Sequence, residues 1–333
     1  MLLVDALYIN NSGGLELLKV LIDSFSRSNI NVFYLLDIRV QDKISRIFPC
    51  TFVKASLLNR YLFYAKNQHR FHKIFCFGNI PPPIRTDALV YTYFHNINLL
   101  KIPHSTSLLQ YCFSFFKQQF ICSNKNNTNY WIVQTANTKE ELKRKFKESE
   151  EKILIYPFWK DEFSNNENSN IQKTDYVYIA NYTPEKQHLL LIRAWRKLHA
   201  LGYNLFLHLT LTNCSHLIKE ELLLAQKEGV NIINHGTINK EQVISLYECS
   251  KATVYTSLNE SFGLGIIEAL LFRCDVIAPN LPYIHTVCTP SSVFSTFNID
   301  DIVNAIIAYE KGMCMPSSIK ISNELKHLIY LLK

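Results

Sequence analysis

"ATVYTSLNESFGLGIIEALLF", residues 252–272, passes from a β-rich segment through a glycine-bracketed turn into an apolar helical segment. "ATVYTS" has the β-branched and aromatic residues of a half-buried or buried strand. "GIIEALLF" reads as helix, and the pattern predicts one over 262–273. Two carboxylates, Glu260 and Glu268, flank the turn, one ahead of the helix and one inside it. The amides of Ser261, Phe262, Gly263 and Leu264 fall where a helix start leaves N–H groups outside its own bonding. An ionised carboxylate accepts two hydrogen bonds in fork geometry, which suits it to vicinal hydroxyls. The competing reading is a capped surface helix with an incidental second glutamate. The Phe-Gly-Leu-Gly turn weighs against it.

The same strand, turn and helix succession recurs along the chain. Strand candidates in the first half are "LLVDALYI", "NVFYLLD", "CTFVKA", "KIFCFG", "ALVYTYFH", "YWIVQT" and "ILIYP". Helix-period stretches lie among them, at 14–28, 105–120 and 138–148. The second half repeats the rhythm with "DYVYIAN", "NLFLHLTLT", "VNIINHG", "ATVYTS" and "DVIAP", and with helices over 186–200, 215–228 and 239–249 besides the one at 262. Alternation of this kind marks α/β folds with parallel sheets covered by helices on both faces. "SNNENSNIQKT" (164–174) is polar and asparagine-rich, a linker between two units, 1–165 and 166–333. The expected architecture is two Rossmann-like doubly wound domains facing a cleft, with the last helix returning to the first domain. Ligands of such sheets bind at the carboxyl ends of the strands.

Bulk properties narrow the class. The chain has 333 residues, 48% hydrophobic and 19% charged, which is a folded globular composition. No apolar run reaches the ~20 residues that span a bilayer. "MLLVDALYIN" carries Asp5 and no basic leader, so no secretory signal is expected. The nine cysteines are scattered without a CxxC pair, a pattern that fits free thiols in a reducing cytosol better than disulfides or zinc. Residues 1–165 hold 21 Lys+Arg and 13 Asp+Glu, a charge of +8; residues 166–333 hold 14 and 15, a charge of −1. A basic half beside a neutral one suggests a surface that meets something anionic; a solvated lysine-rich surface explains the charge equally well.

Three further stretches sit at strand ends. In "NNSGGLELLKVL" Ser12 can cap a helix, and Gly13 and Gly14 let backbone amides approach a ligand, although no GxGxxG fingerprint is present and a tight turn is a sufficient explanation. "VYTYFHN" ends a strand with His95 and Asn96, and His95 is able to bond a ligand hydroxyl or to serve structure alone. "YVYIANYTPEKQHLLLIRAW" carries Asn181 after a strand and Lys186 at the start of the next helix. A cation is disfavoured at that end of a helix unless the place also receives an anion such as phosphate.

Together these residues resemble GT-B glycosyltransferases of the retaining family 4 group. The resemblance rests on the Glu260/Glu268 pair around "SFGLGIIEA", on "INHGTINKEQVISLYECSKATVYTS", on "CDVIAPNLPYIHTVC", and on "YIANYTPEKQHLLLIRAW". "SGG", "FHN" and "YWIVQTANTKEEL" match more loosely, and the likeness covers roughly residues 1–310. It implies a nucleotide-sugar donor held mainly by the second domain, with Glu268 on the ribose and Glu260 on the transferred sugar. The Phe262–Gly263–Leu264 amides would assist Glu260, Lys186 would neutralise the departing diphosphate, and His95 would reach the sugar from the opposite wall. Where many members carry glycine, arginine and a Lys-Gly pair, this chain has Ala180, Asn181 and Lys186–Gln187.

No D-x-D motif occurs, so no metal is expected, and cations and helix N-termini would stabilise the leaving diphosphate. The resemblance points to retention, and to a hexosyl-type transferase of bacterial surface polysaccharide, such as O-antigen or lipopolysaccharide. The basic first half and the aromatic "SLLQYCFSFFKQQFIC" (107–122) suit an anionic membrane surface and a lipid-diphosphate-linked glycan acceptor, unless those aromatics are core. The location expected is cytoplasmic, extending to the inner face of the plasma membrane. A catalytically weak nucleotide-sugar-binding scaffold for a partner transferase is the rival reading. Nucleic acid is not expected, because no Arg-rich run or known module is present.

Overall fold

A computed structural model describes residues 1–10, 12–44, 48–100, 108–160 and 173–333. The linker 164–174 therefore lies almost wholly outside the described residues, as does the side chain of Ser12. The chain divides into two compact units, Met1–Lys160 with Ser322–Lys333, and Asp161–Ile321.

The first unit is built on seven strands: β1 (Leu2–Ala6), β2 (Val32–Asp37), β3 (Cys50–Val53), β4 (Lys73–Cys76), β5 (Leu89–Phe94), β6 (Tyr130–Val133) and β7 (Ile153–Ile155). They pair in the order β3-β2-β1-β4-β5-β6-β7, every neighbour parallel. Helices α1 (Ser12–Arg27), α2 (Leu57–Asn67), α3 (Leu108–Ser123) and α4 (Ala136–Phe146) connect them. Parallel strands covered on both faces must be apolar throughout, and "LLVDA" of β1 is buried at every position. Its aspartate is tolerated because Asp5 accepts from Arg60 Nε and from the Tyr64 hydroxyl, each at 2.8 Å, with both partners on α2. Removing one side of such a buried pair costs about 3–5 kcal/mol, so α2 is tied to the sheet by charge as well as by packing.

The second unit repeats the plan. Its strands are β8 (Asp175–Tyr178), β9 (Leu207–Leu209), β10 (Ile232–Asn234), β11 (Ser250–Val254), β12 (Asp275–Pro279) and β14 (Ser292–Phe294), in the parallel order β10-β9-β8-β11-β12-β14. A two-residue strand, β13 (Cys288–Thr289), pairs antiparallel with β15 (Ser318–Ile319). The helices are α5 (His188–Ala200), α6 (His216–Lys227), α7 (Lys240–Cys249), α8 (Leu264–Leu271), α9 (Pro282–Val287) and α10 (Ile299–Glu310).

The final helix, α11 (Leu325–Leu332), belongs to the first unit. Eight residues are too few for a stable isolated helix. It is held by burying Leu328, Ile329 and Leu332 in the core that α1 and β1 also form, each side chain contributing roughly 1.5–3 kcal/mol. Lys73 Nζ also donates to the Leu331 carbonyl at 3.0 Å, and the Glu324 amide donates to the Pro157 carbonyl at 2.8 Å.

Both sheets are doubly wound, and each reverses its strand order once: between β1 and β4 in the first unit, and between β8 and β11 in the second. In such sheets ligands bind beyond the carboxyl ends of the strands at that reversal.

Candidate functional site

The reversal in the second unit is where Lys186 and Glu260 emerge. The segment after β8 makes one 3₁₀ turn, Pro184–Lys186, with a proline in its first positions. Gln187 then adopts a left-handed conformation (φ 54°) before α5 begins at His188. Lys186 thus precedes the helix rather than starting it. Glycine adopts this left-handed backbone without penalty, whereas a side chain there, as in Gln187, costs roughly 1–2 kcal/mol.

Glu260 comes from the segment after β11 and forms an ion pair through Oε1 with Lys186 Nζ; both side chains are about four-fifths buried, at 21% and 17% exposure. The same Oε1 accepts from the Tyr255 hydroxyl at 3.1 Å, and the Lys186 ammonium lies 5.6 Å from the centre of the Tyr255 ring. Backbone bonds bind the two segments together. The Lys186 carbonyl accepts from Thr256 Oγ1 at 2.8 Å and from the Tyr178 hydroxyl at 3.2 Å, and the Leu258 amide donates to the Glu185 carbonyl at 2.9 Å. Burial raises both tyrosine hydroxyls well above their ordinary range, and the Glu260 charge raises them further, so they stay protonated and act as donors.

Behind Glu260, α8 begins at Leu264 and not at 262, because Gly263 takes a left-handed conformation (φ 78°) as its N-cap. A Cβ there would stand 3.0 Å from Ile266 Cδ1, which would have to give way slightly, so the glycine is favoured first by its backbone and only then by space. Phe262 is buried, Ser261 and Glu268 are half-buried, and Asn181 is exposed just beyond β8. Glu268 lies one turn into α8, where its charge, after burial, raises the Tyr247 hydroxyl; that hydroxyl donates to the Gly265 carbonyl at 3.2 Å.

His188, the first residue of α5, is fully buried against Tyr178, with ring centres 4.9 Å apart. Neither ring nitrogen has a hydrogen bond of good geometry. Burial, with Lys186 nearby, pushes its pKa down to about 4, and the Ala180 backbone offsets that only in part.

In the first unit, Gly14 and His95 come together. Gly14 lies in the first helical turn after β1, and a Cβ on it would meet His95 Nε2 at 3.6 Å and Ile9 at 3.5 Å, which are ordinary contacts. No neighbour in the protein forbids a side chain at 14. Gly13 beside it is exposed. The His95 amide donates to Asn79 Oδ1 at 2.7 Å, which orients that amide group and leaves its Nδ2 to donate to His95 Nε2 at 3.3 Å. The imidazole proton is thereby placed on Nδ1, a buried atom with no partner. Burial holds the His95 pKa at about 4, so the ring is neutral near pH 7.

Lys186 and Glu260 are thus brought together in one unit, and Gly14 and His95 in the other. Sequence reasoning missed Asn79, Tyr178, Tyr255, Thr256 and His188. Asn79 has φ 67° after β4, and the "GN" that follows the strand "KIFCF" was the available signal. The tyrosines sit inside strand-like runs and read as core, which they also are.

Two consecutive Rossmann-like units define the GT-B class of fold. Within it, residues 160–323 match the family model described as Glycosyl transferases group 1. Among solved structures, HepE from Anabaena in complex with UDP and glucose is 13% identical over 99% of this chain and 94% of its own, with a TM-score of 0.69. WaaG, a glycosyltransferase involved in lipopolysaccharide biosynthesis, is 14% identical over 92% and 89%, with a TM-score of 0.67. TarM from S. aureus is 17% identical over 84% of this chain, with a TM-score of 0.60, and this chain spans about half of its length, 55%. At these identities the likeness is one of fold. No curated protein matches the chain by sequence.

Proposed function

We propose that the protein is a glycosyltransferase that moves a hexosyl group from a nucleotide-sugar donor to a growing, lipid-linked glycan in bacterial surface polysaccharide synthesis, with retention and without a metal. The observation that carries this reading is the Lys186–Glu260 pair at the strand-order reversal of the second unit, inside the segment matched by the group 1 model. A cation and a carboxylate held side by side suit the two ends of one donor: phosphate for Lys186, sugar hydroxyls for Glu260. Donor binding exchanges their mutual contact for these two. Glu268, one turn along α8, takes the ribose, and the amides around Gly263 support Glu260. Asn181 lines the donor beside Lys186, in place of the more usual arginine.

As the glycosidic bond breaks, negative charge grows on the diphosphate, where one preorganised donor is worth about 3–4 kcal/mol. In front-face retention the leaving phosphate oxygen takes the acceptor's proton. His95, whose buried Nδ1–H has no partner in the fold, is assigned to the transferred sugar, and Gly13 and Gly14 to close backbone approach of the donor.

The acceptor side draws support from the +8 charge of residues 1–165 and from α3, where Phe115, Phe116 and Lys117 are exposed. Those two aromatics are therefore not core, and an anionic membrane surface suits them. Among the described residues no helix is long and apolar enough to cross a membrane.

The test is a melt and turnover screen of the purified protein against UDP-, GDP-, dTDP- and ADP-sugars, UDP-sugars first because the HepE structure contains UDP. A donor at 100 times its Kd stabilises by roughly 2.7 kcal/mol. Stabilisation with release of nucleoside diphosphate supports the reading. Stabilisation without any turnover turns it into the nucleotide-sugar-binding scaffold, and no stabilisation by any donor overturns both.

A further inference from the structure

The opposite end of the second sheet holds a cluster that sugar transfer does not use. Asp175 opens β8, His208 is the middle residue of β9, and Cys249 closes α7 just ahead of β11. Three separate elements thus deliver a carboxylate, an imidazole and a thiol whose donor atoms all lie within 4.8 Å of one another. His208 is buried, and Asp175 and Cys249 are half-buried, which leaves a path from solvent.

We propose that Asp175, His208 and Cys249 form a binding site for a divalent transition-metal ion of the zinc type, with water completing the coordination. Zinc binds imidazole nitrogen at about 2.0–2.1 Å, carboxylate oxygen at about 2.0–2.2 Å and thiolate at about 2.3 Å, so tetrahedral ligand pairs stand roughly 3.3–3.6 Å apart. The existing separations need only small side-chain adjustments to reach this. A thiolate with an imidazole selects zinc or cobalt over magnesium or calcium.

The surroundings support the imidazole as a ligand. His208 Nε2 lies 3.0 Å from Asp175 Oδ2, and His208 Nδ1 lies 2.9 Å from His235 Nε2. Without metal, the His208 Nε2–H donates to Asp175, and His208 Nδ1 accepts from His235 Nε2–H. With metal on Nε2, the two rings exchange tautomers: His208 Nδ1–H donates to His235 Nε2, and His235 carries its proton on Nδ1. The imidazoles lose no proton, and one proton leaves to solvent from the Cys249 thiol, which otherwise donates to the Leu246 carbonyl at 3.3 Å. His235 is a positioning residue, since it orients the ring that ligates. Without metal, burial and then the Asp175 charge raise the Cys249 thiol, and Lys173, whose ammonium is occupied by the Tyr247 and Phe272 carbonyls, offsets this only in small part, so the thiol is protonated until a metal displaces its proton. A metal here joins β8, β9 and the α7–β11 connection, away from Lys186 and Glu260.

Metal-free, reduced protein titrated with Co²⁺ tests this. The expected result is an equimolar thiolate-to-cobalt charge-transfer band, abolished by Zn²⁺ and by Cys249→Ser, retained in Cys274→Ser, and needing about 10–100-fold more cobalt in His235→Ala. Zn²⁺ should raise the melting temperature of the wild type but not of Cys249→Ser. Should Cys249→Ser fold poorly, His208→Gln replaces it in the same titration. Absence of the band in the wild type, or its survival in Cys249→Ser, overturns the proposal, as does its undiminished survival in His208→Gln where that variant stands in.

Discussion

Lys186 and Glu260, 74 residues apart in the chain, meet as an ion pair beyond the carboxyl ends of the adjacent parallel strands β8 and β11. The Tyr255 hydroxyl donates to the same carboxylate oxygen, and Thr256 and Tyr178 hold the Lys186 carbonyl. Both charges are thus positioned before any ligand arrives. Preorganisation of this kind lets a site stabilise developing charge without reorganising at the moment of reaction.

The roles proposed for the three charged residues separate kinetically. Lys186→Ala should lower kcat by about 10²–10³, because its charge matters most as the phosphate leaves. Glu268→Ala should mainly raise the donor KM and weaken binding of the bare nucleoside diphosphate, as loss of a uniform contact does. Glu260→Ala should impair transfer while nearly sparing nucleotide affinity. Calorimetric binding beside steady-state kinetics reads all three. The reverse pattern for the two glutamates would exchange their roles, and wild-type behaviour in all three variants would end the assignment.

Gly263 and Gly265 should answer differently to alanine. Gly263 has φ 78°, and an added Cβ would press on Ile266, so Gly263→Ala should cost at least about 1–2 kcal/mol. At Gly265 the added Cβ makes an ordinary 3.5 Å contact with Tyr255, so Gly265→Ala should be neutral or stabilise by up to ~1 kcal/mol. Denaturant melts of the two variants give the comparison, and equal losses would refute it.

Acid should weaken the fold through buried histidines. His188 and His95 titrate at about 4 in the native chain, against an ordinary value of 6.5. Between these values the unfolded chain binds protons that the native chain does not, so stability is complete above about pH 6.5 and falls as pH drops towards about 4. For His188 the difference of about 2.5 units amounts to at most about 3 kcal/mol. His188→Phe should flatten this part of the stability curve, whatever its stability at pH 7. A slope between pH 6.5 and 4.5 unchanged from wild type would remove His188 from the account.

Transfer should need no divalent cation, given the absence of D-x-D. Initial rates well below the melting temperature should persist in excess EDTA, even where chelation lowers the melt by emptying the Asp175–His208–Cys249 site. Loss of the rate in EDTA with recovery on adding Mg²⁺ or Mn²⁺ would contradict this.

Membrane contact should be electrostatic. The protein should sediment with anionic vesicles at 0.01 M salt, where the Debye length is ~30 Å, and release towards 0.15 M, where it is ~8 Å. Phe116→Ser should reduce the bound fraction if α3 makes the contact. Equal partition to neutral and anionic vesicles would exclude this mode of binding.

Legibility followed the range of the interactions involved. The seven strand candidates of the first half correspond to β1–β7, because strands buried on both faces leave near-continuous apolar runs that need no partner to be seen. Helices α2, α9 and α10 and the strand β14 are not among the elements the sequence suggests. The first shows Leu57, Leu58, Tyr61 and Leu62 to solvent while burying Arg60, so its apolar pattern points away from the core. The start of α8 was misplaced by two residues, because only the backbone of Gly263 shows where the helix begins.

By itself the sequence determined the class of fold and the residues worth testing: the strand–turn–helix rhythm, the Glu260/Glu268 spacing and Lys186 ahead of a helix are all local, set by propensity and periodicity within a few residues. Tertiary structure alone decided which of these residues meet. Strand order is a non-local choice, and the reversal between β8 and β11 is what carries Lys186 to Glu260. The same sheet, at its other end, gathers Asp175, His208 and Cys249 from 33 and 74 residues away, spacings that match no local metal signature. Such contacts depend on how parallel strands are laid side by side, and sequence distance carries no record of that.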